Sequence, residues 1–198
     1  MISKLVIATH NRKKAGEMVT ILGARFPNTE IVTLADYEGA PEPEETGTTY
    51  ASNAQIKAES AFNFTNEWCV ADDAGLEIDA LDGAPGLYSK RFGGEDLPFP
   101  EKMAMILEQI SGTESRAARF RCNVALIGPN FPCKVFEAIC EGVISEEPSG
   151  GGGFGYDPIF YLPEMGCTMA DLTASQKHQI SHRGKVLKMV GDEIETLG

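Results

Sequence analysis

Two adjacent aspartates, Asp72 and Asp73, follow the apolar run Trp68-Cys69-Val70-Ala71. Carboxylates at the end of a buried strand are costly unless they are hydrogen-bonded, paired with a cation or bound to a metal. Neighbouring side chains of a strand point to opposite faces, so one of the two would aim at a ligand unless the backbone turns. Gly75 permits such a turn. An acidic loop capping the next element accounts for the pair equally well. Glu44 and Glu45 lie in a Pro-rich loop, where glutamates ordinarily face water. They gain a role if they converge with the aspartates as oxygen ligands for Mg²⁺.

Other stretches carry complementary chemistry. In ATHNRKK, Thr9, Asn11 and Lys14 sit between a strand and a helix, where free N–H groups and the helix dipole favour an anion. An Asn N-cap with solvated lysines is the plainer reading. SGGGGFGYDPIF formally holds G-x-G-x-x-G, but no helix follows, so the dinucleotide reading fails its own test. What remains is a loop presenting Phe154, Gly155, Tyr156 and Asp157, with an aromatic able to stack on a base or to fill the core. KHQISHRGK puts Lys177, His182 and Arg183 near the start of the last helix, a position the dipole disfavours for cations. Lys57, in NAQIKAE, is similarly ambiguous, a solvated helix lysine being the ordinary case. Neither G-x-S-x-G nor a Walker motif occurs.

The elements that must position these residues follow from hydrophobic period. Lys4 to Thr9 reads as a short buried strand, and the following helix aligns Ala15, Met18, Val19, Leu22 and Phe26. A strand over Glu30 to Leu34 and a helix beginning at Thr49, with Ala54, Ala58, Ala61 and Phe62 inward, come next. EWCVADDAGLEIDAL reads as two strands interrupted at the aspartates and glycine. Lys102 to Ile110 is helical. ARFRCNVAL alternates, with Ala118, Phe120, Cys122 and Val124 on one face. KVFEAICEGVI is strand, and PIFYLP an edge or terminal strand because of its prolines. Thr173 to Gln176 forms a capping box, and a final helix after Ser181 turns Val186, Leu187, Val190 and Ile194 inward. The fold class is α/β, a mixed sheet split between two lobes.

The chain has 198 residues, which favours a single domain. Its 17 basic against 29 acidic residues give a net charge of −12, which repels nucleic acid and anionic membranes. A phosphate ligand must therefore be held by a local cationic cluster or a metal. No apolar run reaches the roughly 20 residues of a membrane span, and the start lacks a secretory pattern, so a cytoplasmic location is expected. Five cysteines without a C-x-x-C pair argue for reduced, packed thiols.

In this order, ATHNRKK, EETGTTYASNAQIKA, ADDAGLEIDAL, GAPGLYSKRFGG, ARFRC, EGVI, GGFGYDPIF and ISHRGKVLK resemble the inosine triphosphate pyrophosphatase family, from about Ile7 to Lys188. The resemblance implies one domain over residues 1–198, an elongated mixed β-sheet with flanking helices forming two lobes around a central cleft, and a homodimer. It implies Mg²⁺-dependent hydrolysis of ITP, dITP or XTP at the α-phosphate to a monophosphate and pyrophosphate. Thr9, Asn11 and Lys14 match its phosphate-binding positions, and Asp73 its general base and metal ligand. Asp72 and Glu44 or Glu45 match acidic positions around the metal. Lys57 matches a catalytic lysine, and Lys90 a substrate contact of some relatives. Phe154 to Asp157, Lys177, His182 and Arg183 match the base pocket. Ala74 departs from the usual serine after the aspartates, removing one hydroxyl. Pyrophosphatases for standard or methylated nucleotides, and a binding module without catalysis, are the competing readings.

Overall fold

A computed structural model describes residues 2–197. Its strands are β1 (Lys4–Ile7), β2 (Glu30–Thr33), β3 (Trp68–Ile78), β4 (Ala117–Gly128), β5 (Phe131–Ile144), β6 (Phe160–Leu162) and β7 (Cys167–Thr168). Its helices are α1 (Arg12–Arg25), α2 (Tyr50–Thr65), α3 (Phe99–Gln109), α4 (Ala174–Ile180) and α5 (His182–Thr196). The strands form one mixed sheet in the order β2-β1-β3-β4-β5-β6-β7. Strand β1 pairs in parallel with β2 and β3, whereas β6 is antiparallel to both β5 and β7. The α/β class read from the period of the sequence is therefore correct.

The chain divides into two compact units. The first comprises the chain up to Asp73, Cys122–Ala138 and the chain from Arg183 onward. Small residues dominate one of its cores: Ala54, Ala58 and Ala61 recur at helical spacing along α2 and pack with Val6, Ala8, Cys69 and Ala71. Side chains that short let a helix lie close to a sheet, which brings the polar residues on the same helix near the strand ends. On α5 the buried face is Val186, Leu187, Val190 and Ile194, as the spacing predicts, and on α1 it is Ala15, Met18 and Leu22, with Val19 and the C-cap Phe26 only half-buried.

The second unit comprises Ala74–Arg121 and Ile139–His182. Its core is larger-grained, with Leu76, Ile78, Ile106, Phe120, Tyr156 and Phe160 among its buried members. Two local expectations need correction. WCVADDAGLEI forms one continuous strand, β3, with both aspartates and Gly75 inside it. The extended backbone continues because each carboxylate finds its own partners, so no turn is required. PIFYLP supplies an internal strand, since β6 lies between β5 and β7. Its prolines, Pro158 and Pro163, fall outside the three paired residues and cost no ladder bond.

Candidate active site

Strand alternation sends Asp72 and Asp73 to opposite sides of β3, into two different environments. The Asp72 side chain is fully buried. Its Oδ2 accepts from Arg183 Nε at 3.2 Å and Nη2 at 2.8 Å, and lies 3.3 Å from Lys14 Nζ. The remaining arm of Arg183 donates to Glu17 Oε2 at 2.7 Å. Burial alone would raise the pKa of Asp72, but the charges of Lys14, Arg183 and Lys57 outweigh it and hold the carboxyl well below its ordinary range. All these bonds converge on Oδ2. Oδ1 is buried without a hydrogen-bond partner among the described residues.

Asp73 is held more lightly. Its Oδ1 accepts from Lys57 Nζ at 3.2 Å and its Oδ2 from Asn53 Nδ2 at 3.3 Å. Lys57 also donates to Glu45 Oε1 at 2.9 Å. Here burial prevails over the attraction of Lys57 and Lys14, with Glu45 adding repulsion, so the carboxyl is raised above its ordinary range. Lys57 is itself pulled down by burial and pushed up by Asp73, Asp72 and Glu45, and the carboxylates win. The result is a charged lysine beside a carboxylate with increased affinity for a proton.

At the start of α1, Asn11 is the N-cap, its Oδ1 accepting from the N–H groups of Lys13 and Lys14 at 3.0 and 3.1 Å. Thr9 Oγ1 accepts from Asn11 N at 3.2 Å. The N-cap reading of Asn11 therefore holds, but Lys14 is not a solvated lysine, since its ammonium lies against Asp72. Of the two glutamates, Glu45 joins the aspartate–lysine cluster. Glu44 is exposed and contributes its carbonyl, to Thr46 N at 3.0 Å.

The residues of the second unit form a separate set. Asp157 Oδ2 accepts from Phe154 N at 2.8 Å and from Lys177 Nζ at 2.6 Å, and Lys177 lies 4.6 Å from the centre of the Phe154 ring. A side chain at Gly153, where φ is +65°, would sit 2.1 Å from Asp157 Oδ2, so the glycine is required for this close approach. Gly155 adopts φ +68°. Tyr156 is buried against Phe99, and its hydroxyl donates to Ser89 O at 2.8 Å, a packing role rather than an open stacking face. His182, the first residue of α5, stacks on Phe120 with ring centres 4.7 Å apart. Lys177 belongs to the short α4 rather than to the last helix. Lys90 is exposed, and its carbonyl accepts from the buried Lys102 ammonium.

The donor set can be tested against Mg²⁺. Oxygens of Asp73 and Glu45 already converge on one cation, the Lys57 ammonium, and Asp72 Oδ1 has lone pairs to spare. No group of three or more His, Cys, Asp or Glu side chains forms a ready-made cage among the described residues. Mg²⁺ is usually held by one or two carboxylates together with water and phosphate oxygens. Asp73 and Glu45 fit best. Asp72 is already committed to two cations, and Glu44 stands apart.

The chain matches the Ham1 family model over residues 5–192. It belongs to the Ham1 family. This Ham1 chain is 44% identical over 198 residues to the dITP/XTP pyrophosphatase of Geobacillus kaustophilus, covering 99% of this chain and 96% of that one. It is 46% identical over 187 residues to the protein of the same name from Desulforamulus reducens, covering 93% and 92%. Among solved structures, the Ham1 protein of Staphylococcus aureus superposes with a TM-score of 0.88 at 36% identity, covering 98% of this chain and all of that one. The Coxiella burnetii HAM1 protein gives the same score and identity over 99% and 100%. The resemblance read from the ordered motifs is thus correct at the level of family.

Two polar residues at this site are not evident from the sequence motifs. Asn53 precedes Lys57 by one helical turn and Glu17 follows Lys14 by three positions, so each shares a face with a residue already singled out. That spacing is the signal that could have found them.

Proposed function

We propose that this Ham1 chain hydrolyses deaminated purine nucleoside triphosphates (ITP, dITP and XTP) at the α-phosphorus, releasing the monophosphate and pyrophosphate. One observation carries the reading. In a protein of net charge −12, Lys14, Lys57 and Arg183 gather among the carboxylates of Asp72, Asp73, Glu45 and Glu17, so that with a divalent metal to offset the surplus carboxylate the cluster becomes a local exception to a field that repels polyanions. The substrate named for the relatives, dITP and XTP, is of the kind such an exception would serve.

Asp73 is the general base: its raised proton affinity suits it to take a proton from the attacking water. Lys57, charged and beside Asp73, meets a phosphoryl oxygen as negative charge builds up on it. Lys14 and the N-terminus of α1, with Thr9 and Asn11, orient the phosphates. Asp72 fixes Arg183 and Lys14 in place. Mg²⁺ held by Asp73 and Glu45 would supply neutralisation of the polyphosphate and polarisation of its oxygens. The family resemblance assigns reading of the base to Lys177, Phe154 and His182. An ammonium can donate to a 6-keto oxygen and finds no acceptor in the 6-amino group of adenine. The family resemblance puts Arg183 in the base pocket, but its bonds to Asp72 and Glu17 favour a supporting role beneath the acidic pair.

The homodimer implied by the resemblance and the cytoplasmic location expected from the sequence belong to the same reading. Sedimentation velocity checks the dimer, and a fluorescent fusion in the living cell checks the location. The main test is pyrophosphate release from ITP, XTP, ATP and GTP with and without Mg²⁺. The expected result is Mg²⁺-dependent release from ITP and XTP exceeding that from ATP and GTP. Binding of ITP without pyrophosphate release would instead identify a binding module.

A further inference from the structure

Asn53 is almost completely buried, at 2% exposure, in the first turn of α2. Its Oδ1 accepts from the backbone N–H of Gly47 at 2.8 Å, and its Nδ2 donates to Asp73 Oδ2 at 3.3 Å. The orientation of the amide follows from chemistry. A backbone N–H can only donate, so the oxygen must face Gly47 and the nitrogen must face Asp73. Gly47 approaches so closely that a side chain there would lie 2.3 Å from Ser52 Oγ and 2.5 Å from Asn53 Oδ1. Two residues before Gly47 stands Glu45, whose carboxylate shares Lys57 with Asp73.

We infer that Asn53 is a positioning residue that ties the Glu45–Gly47 loop to Asp73, so that the carboxylates of Glu45 and Asp73 face each other across one cation position. Without this amide, the Gly47 N–H loses its anchor on α2, and Asp73 Oδ2 loses its donor while Oδ1 keeps Lys57. Residues that orient a ligating or catalytic carboxylate act through geometry, so their loss is read in turnover and cation affinity more than in substrate affinity. The inference rests on the assignment of Asp73 as the base.

The substitutions Asn53→Asp and Gly47→Ala separate the two halves of the tie. Asn53→Asp keeps an acceptor for the Gly47 N–H but sets a carboxylate against Asp73 Oδ2. Gly47→Ala keeps the amide and displaces the loop. With ITP and Mg²⁺ saturating, kcat of Asn53→Asp is expected to fall about ten- to hundredfold while KM stays within about threefold. Mn²⁺, used as a spectroscopic probe and followed by electron paramagnetic resonance, should bind about tenfold more weakly. In an Asp73→Asn background the same change should cost no further Mn²⁺ affinity. Native turnover in Asn53→Asp, or an equal further loss in that background, would overturn the inference. If Asn53→Asp does not fold, Gly47→Ala decides: reduced kcat supports the tie and native kcat refutes it. If the unaltered chain releases no pyrophosphate from any triphosphate, the functional reading fails by itself, and Mn²⁺ binding still judges the role of Asn53.

Discussion

Asp72 and Asp73 are consecutive residues of one strand, and their surroundings push them in opposite directions. The Asp72 side holds a guanidinium and an ammonium within 3.3 Å of one oxygen, in a place water does not reach. The Asp73 side offers one ammonium, itself divided between two carboxylates, and one neutral amide. Burial raises both pKa values, but only on the Asp72 side is there enough opposing charge to reverse it. The same residue type is thereby fixed as a permanent anion on one face and left with a raised proton affinity on the other. Pairs of acids pushed apart in this way mark a division between holding and reacting.

The comparison can be broken most severely from the holding side. Asp72→Asn leaves Arg183 and Lys14 buried beside a neutral group, which should cost about 3–5 kcal/mol of stability. For a chain of this size that is roughly a 6–20 °C fall in Tm, measurable by calorimetry. Arg183→Lys retains the charge but cannot bridge Asp72 and Glu17 with one planar fork. It should cost about 1.5–3 kcal/mol, again read as Tm. A Tm unchanged in both would remove the buried pair from the account.

The effect of pH sharpens the same contrast. The folded pKa of Asp72 lies below its unfolded value. Between those two values the folded chain binds fewer protons than the unfolded chain, so stability declines as acid is added. The contribution is complete above the ordinary aspartate value of about 3.9 and is lost as pH falls through the depressed one. Asp72→Asn should therefore show a shallower loss of Tm with acidification than the native chain. The smallest expected effect concerns Cys122, whose Sγ lies 4.0 Å from Asp72 Oδ2. Burial, reinforced by the Asp72 charge, pushes this thiol up to about 12. Iodoacetamide at neutral pH should leave it unmodified until the chain unfolds, as mass spectrometry can show.

What the sequence made legible was what repeats. The apolar faces of α1 and α5 and the alternation of β4 as far as Cys122 follow from period, and the structure buries Met18, Leu22, Leu187, Phe120 and Cys122 accordingly. Beyond Cys122 both faces of β4 are buried, Asn123 and Ala125 included. The continuity of β3 was not legible. Whether two carboxylates can sit inside a buried strand depends on partners such as Arg183, 111 positions away, and no local pattern reports them. Glu44 and Glu45 were indistinguishable for a similar reason: both lie in one polar loop, and only the position of Lys57 separates them. Asn53 is hard to single out because an asparagine beside alanines on a helix looks like a polar interruption until its two partners are known.

The most direct test of the division of labour is Asp73→Asn, measured for pyrophosphate release from ITP and for Tm in the same preparation. The account predicts that turnover falls about a hundred- to ten-thousandfold, as expected for loss of a general base. Tm should stay close to that of the native chain, because the Asp72 ion pair is untouched. Turnover near the native rate, or a collapse in Tm comparable to that of Asp72→Asn, would contradict it.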